Sequence, residues 1–241
     1  MDKTTVLARL AQDKPLFHHL DDDGVRRVAA AGITAAEGDC SWAVGRGVLQ
    51  WIADHLSSEM VTIETGAGYT TVLFAALAKR HYCCTLSQRE AAKIRAYLDR
   101  IQVTNDNLTF LIGSTDETLS RLGTETVIDF AYLDGCHGYP FPALDWHYVD
   151  KHLKVGGIIG MDNVELRPVR EHCEFLEENG SYRLAGAVAE GYFVRFYTKL
   201  MDQNREWIDQ AYSRTKKDPC DQRLQTRIRR TATKWLKPYL F

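Results

Sequence analysis

The chain has no CxxC pair, no run of eighteen apolar residues and no surplus of either charge, and each absence removes a class of function. Its six cysteines, Cys40, Cys83, Cys84, Cys136, Cys173 and Cys220, follow no regular spacing. In a chain of this length they read as free thiols in a reducing, cytoplasmic setting rather than as a disulfide framework. The adjacent pair Cys83 and Cys84 lies in an apolar, strand-like run and is read as core packing rather than redox chemistry. Thirty Lys and Arg stand against thirty-two Asp and Glu, a net charge of -2, so no overall field draws the chain to nucleic acid or to a membrane. The first residues, "MDKTTVLARLAQDKPLFHHLDDDG", carry acids and lack an apolar centre, so they read as neither a signal nor a transit peptide. "DDDG" lacks the further ligands of a calcium loop and is taken as a solvated turn or helix start. There are no internal repeats and no low-complexity linker that would force a domain split.

With 241 residues, 45% of them hydrophobic, the chain is long enough to bury a sizeable core without staples. Residues 1–57 read as a helical extension, in which "VGRGVLQWIADHL" places Val48, Trp51, Ile52 and His55 or Leu56 on one face. From Met60 the pattern changes to short apolar runs, at 61–65, 81–87, 108–113, 127–135 and 156–163, with helical segments between them. One such segment, 88–101, spaces Ala92, Ile94 or Arg95, Leu98 and Ile101 for one face. Strands alternating with helices imply right-handed crossovers and a mostly parallel, doubly wound α/β sheet. "YRLAGAVAEGYFVRFYTKL" (182–200) then gives two apolar runs about Glu190 and Gly191, the pattern of an antiparallel hairpin. The expected organisation is a helical extension (1–57), a core (58–200) and a basic helical tail (201–241), folded as one unit. Between Arg214 and Lys237 nine Lys or Arg face two Asp, with Leu224, Ile228, Trp235 and Tyr239 near one face. The tail is read as a helix packed on the body or on a second copy of the chain, as in a homodimer; contact of 214–240 with anionic lipid is the alternative.

"VTIETGAGYTT" carries the first functional signal. In an open parallel sheet, ligands bind at the carboxyl ends of the strands, and the turn after the first strand is the natural place. Gly66 and Gly68 permit positive φ and close approach of a ligand to the backbone, and a helix begins near Thr70. A dinucleotide site expects a third glycine, but Thr70 stands there. Glu64, inside the motif, would crowd a pyrophosphate and suits a ligand carrying positive charge. S-adenosylmethionine, with its amino group and sulfonium, satisfies both observations.

"ETGAGYTT" resembles motif I of class I S-adenosylmethionine-dependent methyltransferases, and the order of elements from Met60 to Leu200 is similar to their seven-stranded, Rossmann-like core with its terminal hairpin. The resemblance implies that Glu64, Gly66 and Gly68 line the methionine end of the cofactor and that Tyr69 and Thr70 close the loop. Such enzymes usually end the second strand in an acid that holds the ribose hydroxyls; here the positions are Leu86, Ser87 and Gln88, with Glu90 the nearest acid, inside the next helix. Ser87 or Gln88 then falls to the ribose. After the third strand, Ser114, Thr115 and Asp116 stand where the family contacts adenine, and Asp116 reads equally well as a helix N-cap.

"AYLDGCHGYPFPALDWHYVDKHLKVGGIIGMDNVE" carries the second signal. Asp134 ends the fourth strand and Asp162 with Asn163 ends the fifth, so all three emerge at the rim of the glycine loop. They form a hard oxygen set suited to magnesium. The alternatives for these acids are helix capping and, for Asp134, contact with the methionine moiety. His137, three residues after Asp134, is placed to take a proton from an acceptor hydroxyl. The pattern resembles divalent-metal O-methyltransferases typified by catechol O-methyltransferase, with His137 where the catechol enzyme has a lysine base, and the "DGxHxY" or "DGxHxFP" methyltransferase group. Tyr139, Phe141, Trp146, His147 and Tyr148 are candidates for an acceptor pocket or for core under the next helix, core being favoured for Trp146; His147 and His152 are read as packing or surface residues. The expected function is S-adenosylmethionine-dependent methyl transfer to a small-molecule acceptor at oxygen, with no nucleic-acid substrate. The alternatives are an NAD(P)-dependent oxidoreductase and an inactive cofactor-binding module acting through the basic tail.

Overall fold

The structure, a computed structural model, describes residues 1–13, 44–190, 192–203, 206 and 210–214. Residues 1–202 form one compact unit and 203–241 a second. In the second, the described element is the short helix Ala211–Arg214; the basic segment 214–240 lies, but for Arg214, outside the described residues.

The first unit is built on seven strands: β1 Val61–Thr65, β2 Arg80–Thr85, β3 Leu108–Ile112, β4 Ile128–Leu133, β5 Leu153–Met161, β6 Tyr182–Glu190 and β7 Tyr192–Lys199. Their order in the sheet is β3-β2-β1-β4-β5-β7-β6. The first five run parallel, while β7 is antiparallel to both β5 and β6. This is the expected doubly wound sheet with its hairpin, the seven-stranded layout of the methyltransferase fold. Thr65 pairs with Cys84 of β2 and Leu133 of β4, and Leu133 with Met161 of β5. The carboxyl ends therefore finish on one rim. Strand order reverses between β1 and β4, which opens a crevice at that rim.

The helices are α1 Lys3–Gln12, α2 Arg46–His55, α3 Tyr69–Leu77, α4 Gln88–Arg100, α5 Thr115–Leu119, α6 Phe141–Asp150 and α7 Arg167–Glu178. They cover both faces of the sheet, and strand alternation divides the core accordingly. Phe130, Tyr132 and Cys83 face one side, where α1, α2, α3 and α4 bury Leu10, Ile52, Phe74 and Leu98. Ala131, Leu133 and Cys84 face the other, with Val149 of α6 and Leu176 of α7. Because both faces are covered, the central strands read as continuous apolar runs. The two adjacent cysteines are fully buried, one in each half of the core.

Two helical faces differ in detail from the sequence pattern. On α4 the buried residues are Ala91, Ile94, Tyr97 and Leu98, so Ala91 rather than Ala92 continues the stripe that Ile101 ends. On α2 they are Val48, Leu49, Ile52 and Ala53; His55 is exposed and stacks on Trp51, whose other face stacks on Phe196 at 3.7 Å. Among the described residues no helix is long and apolar enough to cross a membrane.

Candidate active site

A cavity of about 810 Å³ opens at the carboxyl rim, lined by the loops that follow β1, β2, β3, β4 and β5. That is enough space for a cofactor and a small second ligand. Its wall begins with the turn after β1. Gly66 adopts φ +84, and a Cβ there would collide with the carbonyl oxygen of Asp134, so only glycine lets the β1 turn lie against the end of β4. Its N–H donates to Cys84 O at 2.9 Å. Gly68 is extended rather than positive in φ; it precedes α3, and its N–H donates to Thr71 Oγ1 at 2.9 Å. Gly66, Gly68, Tyr69 and Thr70 all line the cavity.

Glu64 is placed elsewhere. It is fully buried, and its Oε1 lies 3.1 Å from His81 Nε2, with Cys83 close by. The parity of β1 explains this: Thr62 and Glu64 share the face turned toward Phe74 and His81, Glu64 does not line the cavity, and His81 Nδ1 contacts Thr62 Oγ1 at 2.8 Å.

The next part of the wall answers the missing acid of the second strand. Ser87 caps α4 by accepting from the N–H of Glu90 at 3.1 Å, and this first turn brings Glu90 back over the strand end. Thr85 Oγ1 donates to Glu90 Oε2 at 2.8 Å. Ser87 and Glu90 both line the cavity, so an acid stands beside the strand end although it is not next to it in sequence. Ser114 and Thr115 line the cavity too. Asp116 is exposed and accepts a hydrogen bond from Ser114 Oγ. It lies inside α5, and Ser114 holds the N-cap position.

At the far side, Asp134, His137 and Asp162 bring one ligand atom each within 4.8 Å of one another. His137 Nε2 is 3.4 Å from Asp134 Oδ1, and Asp162 Oδ1 accepts from the Tyr132 hydroxyl at 3.1 Å. Burial, with the negative charge of Glu64 adding to it, pushes the Asp134 carboxyl up to about 7. Burial and then the charge of Asp134 push Asp162 up to about 9. Two acids so placed hold a proton between them or a cation. Burial lowers the His137 imidazole below its ordinary value, which keeps it neutral and able to accept a proton at neutral pH. Asn163, at φ 55, lines the cavity, and its Nδ2 donates to Glu165 Oε1 at 2.9 Å.

Of the aromatic candidates, Phe141 lines the cavity while Tyr139 is 83% exposed. Trp146 packs against His172 and Phe175 of α7, and His152 Nδ1 contacts Thr126 O. The sequence pattern did not mark Val44, Glu165, Leu166 and Tyr192, which complete the wall. Val44 and Tyr192 come from elements read as extension and hairpin, and only the fold brings them here. Among the described lining residues there are three acids, Glu90, Asp134 and Glu165, and no Lys or Arg.

Comparison with known proteins agrees with this geometry. Residues 63–164 match a family model described as a methyltransferase domain. No curated protein sequence matches the chain. Among solved structures, a putative O-methyltransferase from Klebsiella pneumoniae is similar at 17% identity and TM-score 0.57, over 79% of this chain and 95% of that one. An O-methyltransferase from Bacillus cereus in complex with SAH is similar at 18% identity and TM-score 0.55, over 82% and 100%. An rRNA methylase from Streptococcus thermophilus shares the fold at 17% identity and TM-score 0.51, over 63% and 93%. Glycine turn, strand order and matched segment point the same way: residues 63–164 match a methyltransferase domain, and the sheet that holds them has the fold of the methyltransferases it resembles.

Proposed function

We propose that the protein transfers a methyl group from S-adenosylmethionine to a hydroxyl oxygen of a small molecule, with His137 as the base and Asp134, Asp162 and Asn163 as ligands of a divalent metal such as magnesium. The observation that carries this reading is the cluster of Asp134, His137 and Asp162 at the edge of the cavity.

The residues present fit both groups. The backbone of Gly66 and Gly68 leaves room for a ligand at the β1 turn, and Ser87, Glu90 and Ser114 offer hydrogen-bonding groups along the same wall. When bound there, S-adenosylmethionine supplies an electrophilic methyl on its sulfonium. The raised carboxyls of Asp134 and Asp162 fit a cation, which would lower the pKa of an acceptor hydroxyl. His137, kept neutral by burial, takes the hydroxyl proton as the oxygen attacks. Phe141, Leu166 and Tyr192 shield the reacting groups from water, and the walls hold attacker and methyl in line.

The acidic lining favours a neutral or cationic acceptor over a polyanion, which weighs against the nucleic-acid substrates that some proteins of this fold are named for. Free thiols at Cys83, Cys84, Cys136 and Cys173 support a reducing, cytoplasmic setting. The test is a screen for S-adenosylhomocysteine release across phenols, alcohols, amines, carboxylic acids and RNA, with and without chelator. Turnover of hydroxyl acceptors that chelator abolishes is the expected result. Release with RNA alone, or turnover of hydroxyls indifferent to chelator, would overturn the acceptor or the metal respectively.

A further inference from the structure

Below the cavity floor lies a polar cluster that the chemistry above does not use. Asp145, in the middle of α6, is 2% exposed. The hydroxyls of Thr65, at the end of β1, and Thr115, at the start of α5, lie beside its carboxylate and favour the charged form. Asp145 Oδ1, Thr65 Oγ1 and Thr115 Oγ1 are all buried, and none has a hydrogen-bond partner of regular geometry among the described residues. Buried polar groups without partners are costly, so a cluster of three at one place is a feature that packing alone does not explain.

The cluster is pressed against the loop after β4. A Cβ on Gly135 would stand 2.9 Å from Thr65 Oγ1 and 3.3 Å from Asp145 Oδ2. Gly135 joins Asp134 to Cys136 and His137, and Thr115 adjoins Ser114 on the cavity wall. One carboxylate thus touches the end of β1, the entry to α5 and the loop of His137, three segments from opposite sides of the cavity. Burial pushes this carboxyl up to about 6, with the neighbouring hydroxyls of Thr115 and Thr65 opposing the rise. A residue needed only for helix α6 would cost less as an apolar side chain of the same size.

We infer that Asp145 is a positioning residue that fixes the cofactor wall and the His137 loop relative to each other. This rests on the reading of the cavity as a cofactor site with His137 as its base. Through Thr115 it sets the turn carrying Ser114. Through Thr65 and the backbone of Gly135 it sets where Asp134 and His137 stand.

The experiment compares the wild type with Asp145→Leu, which keeps the size and removes the acceptors, with Asp145→Asn, which keeps an acceptor for the hydroxyls, and with Thr115→Val. Two readouts are taken on each: the dissociation constant of S-adenosylhomocysteine by calorimetry, and the NMR signal and titration of the His137 imidazole. Asp145→Leu is expected to weaken binding about tenfold or more and to move the His137 signal, while Asp145→Asn keeps binding near wild type and, having lost the charge that raises the His137 value, only shifts the His137 titration to lower pH. Thr115→Val is expected to weaken binding and leave His137 in place. If Asp145→Leu lowers only the melting temperature while both readouts hold, the residue is structural and the inference falls. Should Asp145→Leu not fold, unchanged binding in Thr115→Val overturns it. Wild-type protein that gives no heat with S-adenosylhomocysteine would instead sink the cofactor reading, an outcome distinct from either.

Discussion

The Tyr132 hydroxyl donates to Asp162 Oδ1 at 3.1 Å from within the core, so the carboxyl set against Asp134 is anchored from below and cannot swing out to water. Both acids have raised folded-state values, about 9 for Asp162 and about 7 for Asp134, against an ordinary 3.8. The folded state then holds protons that the unfolded chain has released, so the pair's contribution to stability is greatest at acid pH and is lost as pH rises from about 4 toward 9. In chelator, Asp162→Asn is expected to melt about 3 °C or more above wild type near pH 8, with the gap closing near pH 4. Magnesium should raise the wild-type midpoint and leave the variant unmoved. Thermal melts across pH measure both, and coincident midpoints at pH 8 would show that the acids do not oppose each other.

His137 gives the second prediction. Burial holds its imidazole below the ordinary 6.5, so the proton-accepting form dominates at neutral pH, and activity should climb through an acid limb below 6.5 to a plateau. His137→Gln keeps a polar side chain but cannot accept the proton. Turnover should fall about 10²–10⁴-fold with the acid limb gone and cofactor binding preserved. The pH profile of an acceptor found in the screen decides it; a profile that keeps its limb in the variant would assign the proton to another group.

The parallel strands, their common rim, the glycine turn and the terminal hairpin were all legible, because strand and helix periods and the ETGAGYTT turn are local signals. What was hidden depends on contacts between elements. Glu64 looks like a rim residue in the motif, but the two-residue period of β1 turns it toward His81 and Phe74. Glu90 looks too far from the strand end until the Ser87 cap folds the first turn of α4 back. Asp145 reads as one more acid in "ALDWHYVD", since nothing local distinguishes a solvated helix face from one pressed against Thr65 and Thr115. Gly135 likewise reveals its constraint only when those side chains are in place.

Glu90 supports a third prediction. Its carboxylate accepts from Thr85 Oγ1 at 2.8 Å and borders the cavity, where it can accept from ribose hydroxyls. Wild-type protein should bind S-adenosylhomocysteine about tenfold more tightly than its 2′-deoxy analogue. Glu90→Gln should weaken the parent ligand and erase that preference. Calorimetry with the two ligands reads it directly, and a preference that persists in the variant would return the ribose to Ser87 or Gln88.

His172 links burial to acid sensitivity away from the cavity. It lies in α7, with its ring 4.9 Å from that of Trp146 and 5.6 Å from that of Phe175. Its Nε2 has no partner among the described residues. Burial pushes the imidazole down to about 3 from an ordinary 6.5. As pH falls below 6.5 the unfolded chain binds a proton that the folded state refuses until about pH 3. The stability tied to His172 is therefore full above 6.5 and lost progressively across that window. His172→Phe fills the site with an apolar ring and removes the titration. Its stability should lie within about 1.5 kcal/mol of wild type at pH 7. Relative to that offset, the variant should gain on the order of 2 kcal/mol by about pH 5. Urea unfolding at the two pH values measures the gain, and two stability curves that stay parallel from pH 7 to 5 would mean that the imidazole takes up its proton inside the fold as readily as in the unfolded chain.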